Sequence, residues 1–100
     1  MQFIVTGYDG TDAGAMDRRI AARDEHLKMA ESMKNKGNFI CAAALLDDEE
    51  KMIGSILMVE FPSRKELDQW LKVEPYITGD VWRKVDVKPC KVPPMFMPSK

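Results

Sequence analysis

The sequence contains few of the residues that build metal centres and disulfide frameworks. Among 100 residues it has two cysteines, Cys41 and Cys90, and a single histidine, His26. The cysteines show neither a Cys-x-x-Cys pairing nor any other metal-ligand spacing, so we expect reduced thiols, no metal site and no cofactor. A phosphate-binding glycine loop, a dinucleotide fingerprint and the serine elbow of hydrolases are also missing, which argues against those enzyme classes.

An excess of one charge and long apolar runs are lacking as well. The formal net charge is −1 at pH 7, and the basic residues are interspersed with acidic ones. Because nucleic acid rewards a clustered Lys/Arg face, we expect no nucleic-acid partner. No apolar run approaches the ~18 residues of a membrane span, and we find no pattern of a signal peptide. The sequence therefore predicts a cytoplasmic protein without a membrane segment.

The residues that are present form four short runs rich in β-forming side chains. They predict strands at residues 2–8, 38–46, 52–61 and 80–91. The acidic residues 47–50 between the second and third runs predict a solvated hairpin tip. Gly54 predicts a bulge or a close backbone approach in the third strand. In the last strand, alternation predicts Val85 and Val87 on one face, with Trp82 on the other.

Two segments have the signals of helices. Residues 16–36 contain good helix formers and a predicted apolar stripe that includes Met16, Ile20, Leu27, Met29, Ala30 and Met33. Gly37 suits the left-handed position that ends many helices. Ser63 and Glu66 have the spacing of a capping box, which predicts a second, shorter helix.

The predicted order is β-α-β-β-α-β in one domain over residues 1–92, followed by a proline-rich tail at 93–100. Such an order closes most simply as an α+β, ferredoxin-like antiparallel sheet with both helices on one face. The opposite face then needs a cover, and 100 residues leave no second layer for it. We therefore predict a homodimer with the two sheets face to face.

A few polar residues are candidates for a functional site. His26 lies at the edge of the predicted stripe, and periodicity alone leaves open whether it is structural or functional. Arg23 lies one turn earlier and suits a carboxylate anchor, and Glu74 could orient the imidazole for acid–base chemistry. The hydroxyls of Ser55, Tyr76 and Tyr8 complete the set as candidate substrate-binding groups.

Several pieces of the sequence occur together in the order and spacing of a known family. They are Arg23-x-x-His26-Leu27, Gly37, Asp47-Asp48, Gly54-Ser55, the Ser63-capped helix, Glu74-Pro75-Tyr76, Gly79, and Val85-Asp86-Val87-Lys88-Pro89. In these pieces the chain resembles the YCII-related, or YciI-like, proteins of bacteria. The resemblance implies a ferredoxin-like fold, a dimeric α/β barrel, and an active site built from His26 and the carboxylate of Glu74.

The chain also departs from the family pattern at two places. The family's aspartate is Glu74 here, and a glycine-rich stretch of the family is replaced by the three alanines at 42–44. The resemblance implies an enzyme of the lyase or isomerase class that acts on a small molecule. The alternatives are a module that binds a ligand or partner without catalysis, and an accessory domain of a larger enzyme.

Overall fold

The computed structural model describes residues 1–97 and has a single sheet covered by helices on one face. The elements are β1 (Gln2–Asp9), α1 (Ala15–Asn35), β2 (Phe39–Leu46), β3 (Met52–Glu60), α2 (Arg64–Leu71), α3 (Pro75–Thr78) and β4 (Trp82–Cys90). The strands lie in the order β2-β3-β1-β4, and each neighbouring pair is antiparallel. This arrangement confirms the predicted α+β, ferredoxin-like fold.

Local signals place the ends of the helices. Gly37, just after α1, has a φ of 85°, the left-handed conformation that glycine adopts without steric cost. At the start of α2, the hydroxyl of Ser63 accepts a hydrogen bond from the backbone N–H of Glu66 at 3.2 Å. Both were predicted from the sequence.

The single-turn helix α3 was not predicted, because the segment around Pro75 was interpreted as a simple connection. Pro75 stands at the first position of this helix, where a missing N–H costs nothing. Glu74 before it is extended, and its carboxylate accepts a hydrogen bond from the backbone N–H of Tyr76. A site residue thus also caps a helix.

The predicted stripe on α1 is wrong in part. Ile20 is 61% exposed and Leu27 is 50% exposed, whereas the buried residues of α1 are Arg19 and His26. The true buried face therefore carries two polar side chains, and these interrupt the apolar period on which the prediction relied.

The prediction that Trp82 lies on the opposite face of the last strand from Val85 and Val87 is also wrong. The pairing of β1 with β4 shifts between Tyr8 and Asp9, so that Tyr8 lies opposite Lys84 but Asp9 lies opposite Trp82. An irregularity of this kind changes the alternation of side chains along a strand. The indole of Trp82 is consequently buried on the helix side of the sheet.

Two glycines let neighbouring groups approach closely beside the core. A Cβ atom on Gly7 would overlap the indole ring of Trp82, and a Cβ atom on Gly54 would overlap the backbone carbonyl of Gly7. The close backbone approach predicted at Gly54 is therefore present. Gly7 therefore allows the indole to lie against β1, and Gly54 allows β3 to approach the backbone of β1 closely.

The face of the sheet opposite the helices has no covering layer among residues 1–97. Its central side chains include Ile4, Ile56 and Met58, each half-buried. The chain after β4 crosses one end of the sheet, where Gln2 accepts a hydrogen bond from the N–H of Val92 at 2.6 Å. A short 3-10 turn follows at Pro94–Phe96, and residues 98–100 of the predicted tail lie outside the described residues.

Candidate functional site

A cavity of about 210 Å³ lies between α1 and the strands β2 and β3. Its lining combines polar side chains of α1, β3 and α3 with small or apolar side chains of the sheet. The lining residues are Arg19, Arg23, His26, Leu27, Ala42, Ala43, Ala44, Met52, Ser55, Leu57 and Tyr76. Four of the sequence-predicted site residues therefore lie in one cavity, and a fifth, Glu74, lies directly behind His26.

His26 and Glu74 form a buried pair in the wall of this cavity. Nδ1 of His26 lies within hydrogen-bond distance of Oε1 of Glu74, and the two side chains are 9% and 0% exposed. The carboxylate favours the tautomer in which Nδ1 carries the proton, which leaves the lone pair of the neutral ring on Nε2. Within residues 1–97 Nε2 makes no hydrogen bond, so it is the atom of the pair that is available to a ligand.

Glu74 is held by a second contact. Its Oε1 also accepts a hydrogen bond from the backbone N–H of Tyr76 at 3.1 Å. Its Oε2 is buried and has no partner among the described residues. Because one oxygen caps α3 and contacts His26 together, the carboxylate cannot move without disturbing the imidazole.

Tyr76 positions the imidazole from the other side. The two rings are stacked, with centroids 3.8 Å apart and planes 9° apart. Burial raises the pKa of the Tyr76 hydroxyl above its usual value, although the positive charges of Arg19 and Arg23 work in the opposite direction. The phenol is therefore a neutral wall of the cavity at ordinary pH.

Arg19 supplies a buried cation that sequence reasoning missed. Its Nη1 contacts both carboxylate oxygens of Asp9, at 3.0 and 2.9 Å, and the two side chains are 3% and 5% exposed. Its guanidinium carbon lies 4.9 Å from the centroid of the Tyr76 ring. The pair is thus a buried salt bridge, and its arginine lines the cavity.

Ser55 connects Arg19 to Trp82. Its Oγ accepts hydrogen bonds from Nη2 of Arg19 at 3.2 Å and from Nε1 of Trp82 at 3.3 Å. The indole also meets the His26 ring edge-on, with centroids 6.0 Å apart. Ser55, predicted as a substrate-binding group, is accordingly the meeting point of two donors.

The remaining two predicted residues lie outside this buried group. Arg23 is exposed at the mouth of the cavity and makes no salt bridge within the described part of the chain. Tyr8 is 42% exposed on the opposite face of the sheet, where Nζ of Lys84 lies 5.7 Å from its ring centroid. The structure does not bring Tyr8 to the cavity.

Asp9, Arg19 and Trp82 were not among the predicted site residues. Arg19 precedes His26 by two helical turns, which places both on one face of α1, and this spacing could have indicated it. Asp9 and Trp82 lie near the site because the register of the β1–β4 pairing shifts between Tyr8 and Asp9. The sequence has no local signal for that shift.

Two further findings concern metal ions and membranes. No group of three His, Cys, Asp or Glu side chains in residues 1–97 is placed to hold a metal ion. No helix in the same part of the chain is long and apolar enough to cross a membrane.

The fold and the cavity together define a ferredoxin-like domain with a histidine–carboxylate pair in a small pocket. The model of the YCII-related domain matches residues 1–91, and the chain belongs to this family. The family predicted from the sequence is thereby confirmed.

The chain is similar to individual proteins over most of its length. It is 25% identical to Protein YciI of Escherichia coli O6:H1 over 97 residues, which cover 91% of this chain and 97% of that protein. Its structure resembles that of 5-chloro-2-hydroxyhydroquinone dehydrochlorinase (TftG) from Burkholderia phenoliruptrix AC1100, solved in complex with 2,5-dihydroxybenzoquinone. The TM-score is 0.78 at 22% identity, covering 91% of this chain and 94% of TftG.

A second solved structure is more distant. It is a dimeric ferredoxin-like protein from Jannaschia sp. CCS1, with a TM-score of 0.52 at 16% identity, covering 91% and 98% of the two chains. At sequence identities of 22% and 16%, both structural similarities show a shared fold and nothing more.

Proposed function

We propose that this protein is a small-molecule enzyme of the lyase or isomerase class, with His26 as its general acid and base. The observation that carries the proposal is the buried His26–Glu74 pair in the wall of a cavity. A histidine oriented by a carboxylate, with its second nitrogen open to a pocket, is the arrangement that general acid–base catalysis needs.

The roles of the two residues follow from their contacts. Nε2 of His26 takes a proton from the substrate, and the negative charge of Glu74 stabilises the imidazolium that results. Stacking on Tyr76 keeps the ring in place during the transfer. The same Nε2 then returns the proton to another atom of the substrate, which is sufficient for an isomerisation or an elimination.

The size and lining of the cavity favour a small planar substrate. A cavity of about 150 Å³ accommodates benzene, and this one measures about 210 Å³. One wall consists of alanines of β2, which leave room for the face of a ring. Arg23 at the mouth, without a salt bridge in residues 1–97, suits a negatively charged group on the substrate.

The ligand seen in TftG is of this size and kind, which makes its substrate the first compound to test. Conversion of 5-chloro-2-hydroxyhydroquinone to hydroxybenzoquinone removes protons from two hydroxyls, adds one proton to the carbon that bore chlorine, and releases chloride. The net loss is HCl, and no oxidant is needed. A single group that accepts one hydroxyl proton and returns it to the carbon could serve this reaction, because the second hydroxyl proton leaves to solvent as the counterpart of the chloride.

The test is release of chloride, measured together with the absorbance of the quinone, by the purified protein. We expect turnover by the wild type and a loss of about 10²–10⁴-fold in His26→Gln, the usual contribution of a general base. Glu25→Gln is the matched control, because Glu25 is a neighbour of His26 on α1 whose side chain is 70% exposed. Equal rates in His26→Gln and wild type would contradict the proposal. Binding of 2,5-dihydroxybenzoquinone without turnover of the chlorinated compound would favour a binding module instead.

We also propose that two copies associate through the uncovered sheet faces in the cytoplasm. Ile4, Ile56 and Met58 form an apolar centre on that face, and a two-fold pairing of sheets is the simplest cover for it. The reducing conditions of the cytoplasm agree with the free thiols of Cys41 and Cys90.

A further inference from the structure

The hydroxyl of Ser55 has an unusual set of partners for a buried serine. Both hydrogen bonds that it makes, to Arg19 and to Trp82, are hydrogen bonds that it accepts. A guanidinium and an indole N–H are donors only and cannot receive a proton from the serine. The serine hydroxyl has two lone pairs and one proton. Its lone pairs are therefore both occupied, and only its proton is left.

That proton has no acceptor on the protein within residues 1–97. Ser55 is 5% exposed and lines the cavity that His26 also lines, so the remaining direction of its O–H bond leads to a ligand rather than to bulk solvent. A buried donor without a partner costs about 1–3 kcal/mol. The cost disappears when a ligand supplies an acceptor oxygen.

The donors that fix Ser55 are themselves fixed. Arg19 is held by both oxygens of Asp9, and Trp82 lies flat on β1 because Gly7 has no side chain to displace it. Neither group can turn away to let the serine accept from a ligand. The positive charge of Arg19 also polarises the hydroxyl and strengthens the hydrogen bond that it can donate.

We propose that Ser55 is an obligate hydrogen-bond donor to the bound molecule, with Arg19 and Trp82 as its positioning residues. The pocket then offers a donor at Ser55 and a proton acceptor at Nε2 of His26. The matching ligand has a carbonyl or oxyanion oxygen toward Ser55 and an acidic hydroxyl or C–H toward His26. This inference rests on the proposed function and narrows its substrate to hydroxylated or enolisable carbonyl compounds.

The test uses two probes that differ in their carbonyl groups. 2,5-Dihydroxybenzoquinone has carbonyl oxygens, whereas hydroquinone has only neutral hydroxyls, whose oxygens are weaker hydrogen-bond acceptors. Both are titrated by calorimetry against the wild type, Ser55→Ala and Ser55→Thr, which keeps a hydroxyl. For the quinone we expect affinity to fall about 10- to 100-fold in Ser55→Ala, since a hydrogen bond to a charged oxygen has that strength. Ser55→Thr retains most of the affinity, and hydroquinone binding changes less than threefold in either variant.

Trp82→Phe tests the positioning role. It keeps an aromatic ring and removes the N–H, so one lone pair of Ser55 is freed and the hydroxyl can rotate. We expect weaker quinone binding in this variant, and we expect the double variant with Ser55→Ala to bind the quinone no more weakly than Ser55→Ala alone. A purely structural role would instead weaken both probes equally and give additive losses.

The outcomes separate this inference from the proposed function. If the wild type binds the quinone and Ser55→Ala binds it equally well, the donor role is wrong, whereas the His26 proposal stands on its own rate measurements. If Ser55→Ala weakens both probes by the same factor, the donor role is wrong as well. If the wild type binds neither probe at millimolar concentration, the substrate class is wrong and this inference falls with it.

Discussion

The ring of Tyr76 lies parallel to the imidazole of His26, with centroids 3.8 Å apart. The carboxylate of Glu74, two positions before Tyr76, contacts Nδ1 of the same imidazole. One turn of chain, from Glu74 to Tyr76, therefore orients the histidine by a carboxylate and by a ring at once. Since α3 begins within this turn and Glu74 caps it, the local backbone and the site depend on each other.

The ion pair of Arg19 and Asp9 gives a prediction about stability. Asp9→Asn leaves a buried guanidinium without its counter-charge, which costs about 3–5 kcal/mol in proteins. We expect a loss of this size in the free energy of unfolding, measured with urea. Asp68→Asn is the control, because the Arg64–Asp68 pair is about half exposed and such pairs contribute at most ~1 kcal/mol. Similar losses in the two variants would show that the Asp9 pair is not buried as described.

The buried hydroxyl of Tyr76 gives a prediction about alkaline pH. Because burial raises its pKa in the folded state, the native protein holds this proton more tightly than the unfolded chain does. Stability from this group is fully present below pH 10 and is lost as the pH rises above 10. We expect Tyr76→Phe to have a shallower fall of the unfolding free energy between pH 9 and pH 11 (about the range that titrates tyrosine) than the wild type. Tyr8→Phe, which changes an exposed ring, should keep the wild-type slope, and an unchanged slope in Tyr76→Phe would contradict the account.

The shape of the His26 site gives a prediction about side-chain length at position 74. Glu74→Asp keeps the charge but withdraws the carboxylate by one methylene. The shorter side chain therefore loses either its contact with Nδ1 of His26 or its hydrogen bond from the N–H of Tyr76. A misplacement of about 1 Å can cost 10²-fold in rate. We expect kcat for chloride release to fall 10- to 100-fold with a smaller change in KM. A kcat equal to that of the wild type would mean that the orientation of His26 does not depend on this reach.

The uncovered sheet face gives a prediction about assembly. Ile56 lies opposite Thr6 and Ala43 near the middle of that face. We expect sedimentation to give twice the chain mass of 11.4 kDa for the wild type and one chain mass for Ile56→Lys. Ile20→Lys, a charge placed on the exposed side of α1, should remain a dimer. A monomeric wild type at micromolar concentration would rule out the face-to-face pairing.

The elements of the fold could be predicted because their signals are local. Gly37 ends α1 by its own backbone freedom, and Ser63 begins α2 through a contact three residues away. The family resemblance brought His26 and Glu74 forward together, although they are far apart in sequence. These features depend on residue identity at a few positions, which a single sequence displays directly.

What could not be predicted depends on polar groups that are buried by distant partners. Arg19 is charged, so its sequence position predicts a surface residue. In the folded chain it is buried, because Asp9 supplies the opposite charge and Ser55 accepts a hydrogen bond from it. Ile20 is apolar, so its position in the pattern predicts a core residue, but the side chain is exposed. Trp82 changes face through a shift in strand pairing. In each case tertiary contact overrides the local pattern.

The most direct test of the central claim is chemical rescue of His26→Ala with free imidazole. The substitution removes the ring that stacks on Tyr76 and leaves a space of the same shape beside Glu74. The account predicts that chloride release from 5-chloro-2-hydroxyhydroquinone is lost in His26→Ala and rises in a saturable way as imidazole is added, with no such effect on the wild type. A His26→Ala variant that turns over at the wild-type rate without imidazole would contradict it.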